Sequence, residues 1–224
     1  MCGRFSLKST IQAIEDEFSI EESEIEILPR YNIAPTQDVS VITNENKTRL
    51  VSFRWGLIPS WAKDQNIGNK MINARAETLT QKVSFKNALK KKRCLIIVDG
   101  FYEWKKTASE KAPMFISLKN EKPFAFAGLW EAWKTPAGKL IRTCTIITTT
   151  PNELISPIHN RMPVILPKEF RNYWLESNNF DENKLIELLK PFPAKEMVAY
   201  EVSKYVNSPI NDSPMCCEPI YRTT

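Results

Sequence analysis

Residues 94–104 read CLIIVDGFYEW, an apolar run that changes abruptly into a mixed polar and aromatic one. Its first half is rich in β-branched and other apolar residues, which is typical of a strand. Gly100 interrupts the run, and a glycine there indicates a tight turn or a close backbone approach. Beyond Gly100, strand alternation puts Glu103 on the face opposite Tyr102 and Trp104. We therefore predict a strand that is interrupted at Gly100 and that carries Glu103 among aromatic side chains.

Other β-rich segments flank this stretch, and helical patterns lie between them. Further strands are predicted at 38–43, 49–55, 113–118, 123–133, 139–150, 162–166 and 197–203, and helices at 9–18, 85–93, 151–156, 167–175 and 181–190. Strands dominate, and no regular βαβ alternation appears. The predicted fold is α+β: a single domain over residues 1–224, with a curved mixed β-sheet or barrel-like core and peripheral helices. A Pro-rich tail is expected from about residue 207.

Composition and cysteine usage indicate the compartment. Hydrophobic residues make up 42% of the 224 and charged residues 25%, as in globular proteins. No stretch approaches the roughly 20 apolar residues of a membrane helix, and the N-terminus lacks a secretory h-region. The five cysteines form no disulfide-like framework, and Cys94 and Cys144 lie in apolar runs, which predicts buried free thiols. We expect a cytoplasmic protein with no membrane partner.

Charge is unevenly distributed along the chain. The formal net charge is +5, yet residues 9–29 hold seven acids and no Lys or Arg, so the other 203 residues carry a net +12. The segregation predicts an acidic exposed face and a basic surface elsewhere. The basic surface is either a nucleic-acid footprint or a solvated Lys-rich surface. The same two interpretations apply to the predicted basic helix at Lys90–Arg93.

Several chemistries are excluded by what the chain lacks. His159 is the only histidine, so any imidazole base is this residue and a multi-His zinc site is excluded. The sequence contains no C-x-x-C pair, no Walker-type loop and no G-x-G-x-x-G loop. We therefore expect neither a metal nor an organic cofactor. His159 lies in the polar stretch SPIHNRMP, where it is either catalytic or structural.

Cys2 directly follows the initiator methionine. Removal of Met1 would expose an α-amine whose pKa is about 7.7–8.0, so that about one-tenth is neutral at pH 7. A neutral amine attacks an aldehyde to form a Schiff base, and the thiol of the same residue can then close a five-membered thiazolidine ring. The alternative is that Cys2 is simply a small apolar residue.

Polar residues gather in three further places. The first stretch holds Asn73, Arg75 and Glu77, the second Asp99 and Glu103, and the third His159, Asn160 and Arg161. A carboxylate among aromatic side chains is partly desolvated, which raises its pKa toward neutrality and suits proton transfer. The alternatives are that Glu103 is a surface carboxylate paired with a nearby lysine and that Asn73 is a turn or cap residue.

Six ordered motifs together resemble one family, the SOS-response-associated peptidases (SRAP). They are MCGRF, RYNIAP, RWGLIPSWA, MINARAET, DGFYEWK and IHNRMPVIL, and the resemblance extends from residue 2 to about residue 206. It implies a protein that shields abasic sites in single-stranded DNA during the DNA damage response. The implied chemistry is autocatalytic removal of Met1 followed by a covalent thiazolidine crosslink to the ring-opened abasic aldehyde, with a possible Schiff-base lyase side activity.

The resemblance also implies residue roles. Cys2 would form the crosslink, Asn73 orient it, Glu103 handle protons, and His159 assist sugar opening and proton shuttling. The implied DNA contacts are Arg4, Arg75 and Arg161 at phosphates and Pro35 and Trp61 near displaced bases. Some members have paired tryptophans where this chain has Trp61 followed by Ala62, which weakens the expected base stacking. The expected partner is abasic single-stranded DNA, bound by a monomer that is nucleoid-associated when on DNA.

Two other functions remain open from the sequence. One is a cysteine peptidase that cleaves other proteins through Cys2 and His159, as the family name suggests. The other is a non-covalent reader of modified cytosine. A nucleophile that is created by loss of Met1 suits self-cleavage better than a substrate cleft.

Overall fold

The computed structural model describes residues 2–45, 47–178 and 180–220. The strands are β1 (Phe5–Leu7), β2 (Glu22–Ser23), β3 (Arg30–Ile33), β4 (Asp38–Asn44), β5 (Thr48–Trp55), β6 (Asn73–Arg75), β7 (Arg93–Val98), β8 (Gly100–Lys106), β9 (Lys111–Leu118), β10 (Phe124–Lys134), β11 (Leu140–Thr149), β12 (Met162–Pro163) and β13 (Met197–Glu201). The helices are α1 (Ile11–Phe18), α2 (Val83–Lys91), α3 (Lys168–Leu175) and α4 (Glu182–Glu187). None of the helices in these ranges has the length and apolar character needed to span a bilayer.

Five strands close into a barrel. Going around it, β11 pairs with β10, β10 with β7, β7 with β4 and β4 with β5, all antiparallel. The circle is completed by a parallel contact of β5 with β11, where Arg54 lies opposite Thr143. Closure leaves no free edge among these strands. The prediction of an α+β domain with a barrel-like mixed core is confirmed.

A second sheet lies beside the barrel, and the chain passes from barrel strand β7 into this sheet at Gly100. Its strand order is β13-β9-β8-β1-β3, so β7 and β8, adjacent in sequence, belong to different sheets. Asp99 lies between them, and its carboxylate accepts hydrogen bonds from the backbone N–H groups of Lys8 and Ser9. A Cβ at Gly100 would lie 2.2 Å from Cζ of Phe115, which is why a glycine is needed there. The predicted interruption at Gly100 is confirmed.

Aromatic rings fill the space between the two sheets. Phe5 of β1 packs on Trp55 of β5 with ring centroids 5.1 Å apart, and Phe126 of β10 meets both Phe5 and Phe101 edge-on. The rings tie the N-terminal strand to the barrel, so residues just before β1 have a firm support. Cys94 and Cys144 are fully buried and reduced, as predicted.

The predicted helix at 151–156 is wrong. These residues form hydrogen-bonded turns in which the Asn152 side chain accepts from the Ile155 N–H. Pro157 follows directly and has no N–H to donate, so the helical ladder cannot continue. The loop that carries His159 therefore begins before residue 156, within the segment predicted as a helix.

The predicted basic helix at Lys90–Arg93 also needs correction. Helix α2 ends at Lys91, and Arg93 begins β7, where it is buried. Its guanidinium donates to four backbone carbonyls, those of Leu89, Lys90, Trp174 and Glu176. Arg93 is thus committed to internal hydrogen bonds and is not part of a DNA-facing surface.

The Pro-rich C-terminal tail packs on the second sheet. Cys216 and Cys217 are buried against Tyr102 of β8 and Phe115 of β9. A bridge between Val202 and Pro219 holds the chain there. The tail therefore contributes to the layer that supports β8.

Candidate active site

The N-terminal segment is aligned on β8. β1 runs antiparallel to β8 with Phe5 opposite Phe101, and the Tyr102 N–H donates to the Arg4 carbonyl at 2.9 Å. This register carries the preceding residues toward the Glu103 end of the strand. Cys2 is fully buried, and burial raises the pKa of its thiol well above the ordinary value. The charge of Glu103 acts in the same direction, because the two side chains lie close together.

Asn73 holds the backbone of Cys2. Strand β6 lies parallel to β11, with Asn73 opposite Ile146. The Asn73 Nδ2 donates to the Cys2 carbonyl at 2.8 Å. Its Oδ1 is buried and accepts no hydrogen bond from the part of the chain that the structure describes. A turn or cap residue binds the backbone of its near neighbours, whereas the Asn73 side chain makes a hydrogen bond to Cys2, 71 residues away in sequence.

Glu103 is a buried carboxyl. Only 3% of its surface is exposed, and burial raises its pKa from 4.5 to about 7. The alternative of a solvated surface carboxylate is therefore excluded. A carboxyl with such a pKa is populated in both protonation states near pH 7, so it can take up or release a proton there.

A pocket of about 650 Å³ opens beside Glu103. Its lining comes from β8, from Lys111 of β9 and from the loop 156–160 that carries His159. His159 is half-buried, and burial lowers its pKa. Its Nδ1 lies 3.1 Å from the backbone nitrogen of Arg161 and 3.2 Å from the carbonyl oxygen of the same residue, so the Arg161 backbone holds the ring through Nδ1 in either tautomer. Glu103 and His159 therefore line one pocket although 56 residues separate them in sequence.

Arg161 is held by a bidentate ion pair. Its two terminal nitrogens lie 2.6 and 2.9 Å from the Glu77 carboxylate, and one also donates to the Thr148 carbonyl at 2.6 Å. The hydrogen bond from Arg161 lowers the pKa of Glu77. Glu77 was noted in sequence beside Asn73 and Arg75 but was assigned no role. Its place two residues after Arg75, in the same polar stretch, was the only sequence signal that it belongs to the site. Arg75 itself is exposed.

The remaining predicted DNA contacts lie apart from the pocket lining. Trp61 is 58% exposed in the turn that precedes Ala62, and the Trp133 indole anchors that turn by donating to the Ala62 carbonyl at 2.7 Å. Pro35 is half-buried and precedes Thr36, whose φ is +73°. Neither Pro35 nor Trp61 lines the pocket beside Glu103.

Arg4 is placed differently from the other predicted arginines. It is 9% exposed, and its Nη1 donates to Asn32 Oδ1 at 2.7 Å and to the Val206 carbonyl at 2.8 Å. Asn32 was quoted in the motif RYNIAP but received no role from sequence reasoning. Nothing in the local pattern of that motif shows that its partner lies near residue 206.

The region of the site holds no metal cluster of the usual kind. Within residues 2–45, 47–178 and 180–220, no three His, Cys, Asp or Glu side chains are grouped so as to hold an ion. The chemistry open to this arrangement is proton transfer by Glu103 and His159 around the N-terminal cysteine.

Similarity to known proteins agrees with the six motifs. The profile of the family "SOS response associated peptidase (SRAP)" matches residues 1–209. The chain is 53% identical over 222 residues to "Abasic site processing protein YoqW" of Bacillus subtilis (strain 168), covering 97% of this chain and 99% of the relative. It is 32% identical over 225 residues to "Abasic site processing protein HMCES" of Gallus gallus, covering 86% of this chain and 66% of the relative.

Solved structures show the same fold. A crystal structure of a Bacteroides thetaiotaomicron protein superimposes with a TM-score of 0.90 at 28% identity, covering 98% of this chain and all of the other. One from Bordetella bronchiseptica superimposes with a TM-score of 0.79 at 25% identity, covering 90% of this chain and all of the other. Profile, relatives and fold agree along nearly the whole chain. This protein belongs to the SOS response associated peptidase (SRAP) family.

Proposed function

We propose that this protein processes abasic sites in single-stranded DNA by forming a covalent thiazolidine through Cys2 after removal of its own Met1. The observation that carries the proposal is the hydrogen bond from Asn73 that fixes the Cys2 backbone beside the buried carboxyl of Glu103. The names of the relatives, abasic site processing proteins, support the substrate class. Met1 lies outside the described residues.

The proposed reaction uses both reactive atoms of one residue. The α-amine of Cys2 adds to the aldehyde carbon of the ring-opened sugar, and loss of water leaves an imine. The thiol sulfur then adds to the imine carbon while its proton passes to the nitrogen, which closes the five-membered ring. Because the thiol pKa is raised, the sulfur stays protonated until the imine forms beside it, and the amine reacts first.

Glu103 and His159 are the proposed proton-handling groups. A carboxyl with a pKa of about 7 can accept a proton from the attacking amine and return it to the departing water. His159, held through Nδ1, lines the same pocket and would assist opening of the sugar. The unsatisfied Oδ1 of Asn73 is available to accept a hydrogen bond from the reacting nitrogen.

The proposed DNA contacts do not depend on base identity. An abasic site offers an aldehyde but no base edge, so affinity must come from phosphates and from neighbouring bases. Arg75 is exposed for phosphate contact, and Arg161 is aligned by Glu77. Trp61, largely exposed, and Pro35 are proposed to contact the bases that flank the lesion. We propose a monomer that acts in the cytoplasm, on the nucleoid when bound to DNA.

The raised thiol pKa argues against a peptidase that acts on other proteins. Such a peptidase needs a thiolate, which calls for a lowered pKa. The Cys2 thiol has the opposite shift. Peptidase chemistry is therefore proposed only for self-removal of Met1, and lyase chemistry only as β-elimination from the Schiff base.

Replacement of the nucleophile tests the proposed function. Cys2→Ala should abolish a heat-stable adduct with uracil-glycosylase-treated single-stranded DNA, because the ring cannot close without the sulfur. Cys144→Ala, which removes a buried thiol of the barrel, is the matched control and should keep the adduct. Intact mass of each preparation reports whether Met1 is absent. An undiminished adduct in Cys2→Ala protein that lacks Met1 would overturn the proposal.

A further inference from the structure

A segment near the C-terminus is bound to β3, the strand that pairs with the N-terminal strand β1. Asn32 of β3 donates through Nδ2 to the carbonyls of Val206, Ser208 and Asn211 at 3.2, 2.9 and 2.6 Å. Its Oδ1 accepts from Arg4. A buried amide that satisfies three carbonyls and a guanidinium at once holds both segments in one relative position. We call residues 206–212 the C-terminal clasp.

Asp212 fastens the end of this clasp. Its Oδ1 accepts from the backbone N–H groups of Tyr31 and Asn32 at 2.5 and 3.1 Å, and its Oδ2 lies 3.5 Å from Arg30 Nε. A carboxylate that accepts two backbone N–H groups makes charge-assisted bonds, which are stronger than neutral ones. Asp212 lies beyond residue 209, where the family profile ends. The attachment is therefore a feature of this chain that the family assignment does not describe.

The clasp reaches the site along two routes. The first route passes through Arg4, whose side chain is held by Asn32 and by the Val206 carbonyl. The backbone carbonyl of Arg4 accepts a hydrogen bond from the Tyr102 N–H and lies 3.9 Å from the Cys2 sulfur. Movement of the clasp would thus shift the peptide that carries Cys2.

The second route is Trp104, which lines the pocket beside Glu103. The Trp104 indole N–H donates to Asn207 Oδ1 of the clasp at 2.8 Å. The Arg4 guanidinium lies over the same ring, 5.7 Å from its centroid. Trp104 is therefore held from one side by the clasp and from the other by a residue that the clasp also holds.

We propose that the C-terminal clasp positions Cys2 and Trp104 for the reaction, with Asp212 as its positioning residue. The inference rests on the proposed function. It gives Arg4, which is buried and whose Nη1 donates to two acceptors, a positioning role. Small displacements of a reacting group are costly because the near-attack geometry is lost, even when binding is unchanged.

Asp212→Ala tests the clasp. It should lower the single-turnover crosslinking rate at saturating abasic DNA by about tenfold or more. Binding of undamaged single-stranded DNA, measured in a Cys2→Ala background, should change by less than about twofold because Asp212 is not placed in the DNA contact. Asp212→Asn should recover part of the rate, because its amide oxygen can still accept from both N–H groups although the charge assistance of those bonds and the ion pair with Arg30 are lost.

Asp181→Ala is the matched control. Asp181 is the N-cap of α4, where its carboxylate binds Lys184 of the same helix, and its loss should leave the crosslinking rate unchanged. An unchanged rate in Asp212→Ala, or a rate and an affinity that fall together, would overturn the clasp. If Asp212→Ala does not fold, Asn207→Ala decides by the same readouts, because it removes only the acceptor of the Trp104 indole. A wild-type protein that forms no adduct would instead contradict the proposed function itself.

Discussion

At the scale of single residues, Glu103 shows how burial prepares a side chain for chemistry. In β8 the carboxyl is enclosed by the second sheet and the N-terminal segment, and loss of hydration disfavours its charged form. The same enclosure keeps the Cys2 thiol protonated. Near pH 7 the thiol is thus held protonated, whereas the carboxyl is divided between its two protonation states.

The pH dependence of crosslinking should reveal this carboxyl. The attacking amine also titrates near neutrality, and the nearby Glu103 carboxylate affects that titration, so the amine pKa is measured in wild type and in Glu103→Gln and the ratio of their rates is corrected for it. With a pKa of about 7, the ionised fraction, and with it the rate ratio, should rise roughly tenfold between pH 6 and pH 8. Glu103→Gln itself should be slower by about 100-fold or more at pH 8. A ratio that does not vary with pH would contradict a proton-accepting role.

Folding stability provides the companion measurement. A carboxyl whose folded pKa is raised binds more protons in the folded state, so its contribution to stability falls as pH rises from 4.5 to about 7. Relative to wild type, Glu103→Gln should therefore gain unfolding free energy with rising pH, approaching about 3 kcal/mol at pH 8. Denaturant unfolding at pH 4 and pH 8 measures this difference, and the gain should be absent at pH 4.

At the scale of elements, the junction of β7 and β8 sets the site. The chain leaves the barrel at Val98 and joins the second sheet at Gly100, while the Asp99 side chain binds the segment that follows β1. Glu103 owes its enclosure to this change of sheet. A straight continuation of β7 would have kept it in the barrel wall.

Gly100→Ala should destabilise the junction. The new Cβ would lie 2.2 Å from Cζ of Phe115, a ring that is itself buried against Tyr102 and Tyr200 and so has little room to move. Overpacking of this kind costs about 1–3 kcal/mol. Urea unfolding should show this loss in Gly100→Ala, whereas Lys106→Ala, at an exposed position of the same strand, should stay within about 0.5 kcal/mol of wild type. Equal stability of the two variants would mean that Phe115 relaxes freely.

At the scale of the whole molecule, folding pairs acids of the segment 9–29 with cations from elsewhere in the chain and leaves Arg75 exposed. The acidic segment 9–29 covers α1 and β2, where acids such as Glu17 and Glu24 are paired with Arg171 and Arg49. Arg75 is exposed on β6, the strand that also presents Asn73 to Cys2. An exposed cation thus lies on the same strand as a site residue.

The exposed position of Arg75 predicts how DNA binding depends on salt. Affinity for single-stranded DNA should fall linearly on a log–log plot against salt, and Arg75→Gln should reduce the steepness of the slope by about 0.7 for one lost phosphate contact. Glu26→Gln, at an exposed position of the acidic segment, should leave the slope unchanged. Fluorescence anisotropy with an undamaged oligonucleotide at several salt concentrations measures both. A slope that responds equally to both substitutions would show that Arg75 makes no specific contact.

Local pattern alone determined much of this protein. The alternation after Gly100 identified Glu103, the helix predicted at 9–18 corresponds to α1, and the buried thiols followed from their apolar runs. Six motifs in a fixed order were sufficient to identify the family. These features succeed because strand periodicity, capping and motif spacing are encoded within a few residues. The helix at 151–156 failed because a single proline after it outweighed a weak helical pattern.

Tertiary structure alone decided how the site is held. Arg4 and Arg93 look like DNA-binding cations in sequence, yet both are buried and bound to carbonyls that long-range packing brings to them. Asn32 and Val206 are hydrogen-bonded although they are 174 residues apart, and Asp212 and Tyr31 are hydrogen-bonded although they are 181 residues apart. The pKa of Glu103 depends on such packing as well. Burial and hydrogen-bond partners are properties of chain segments that meet only on folding, and no local pattern records which segments those are.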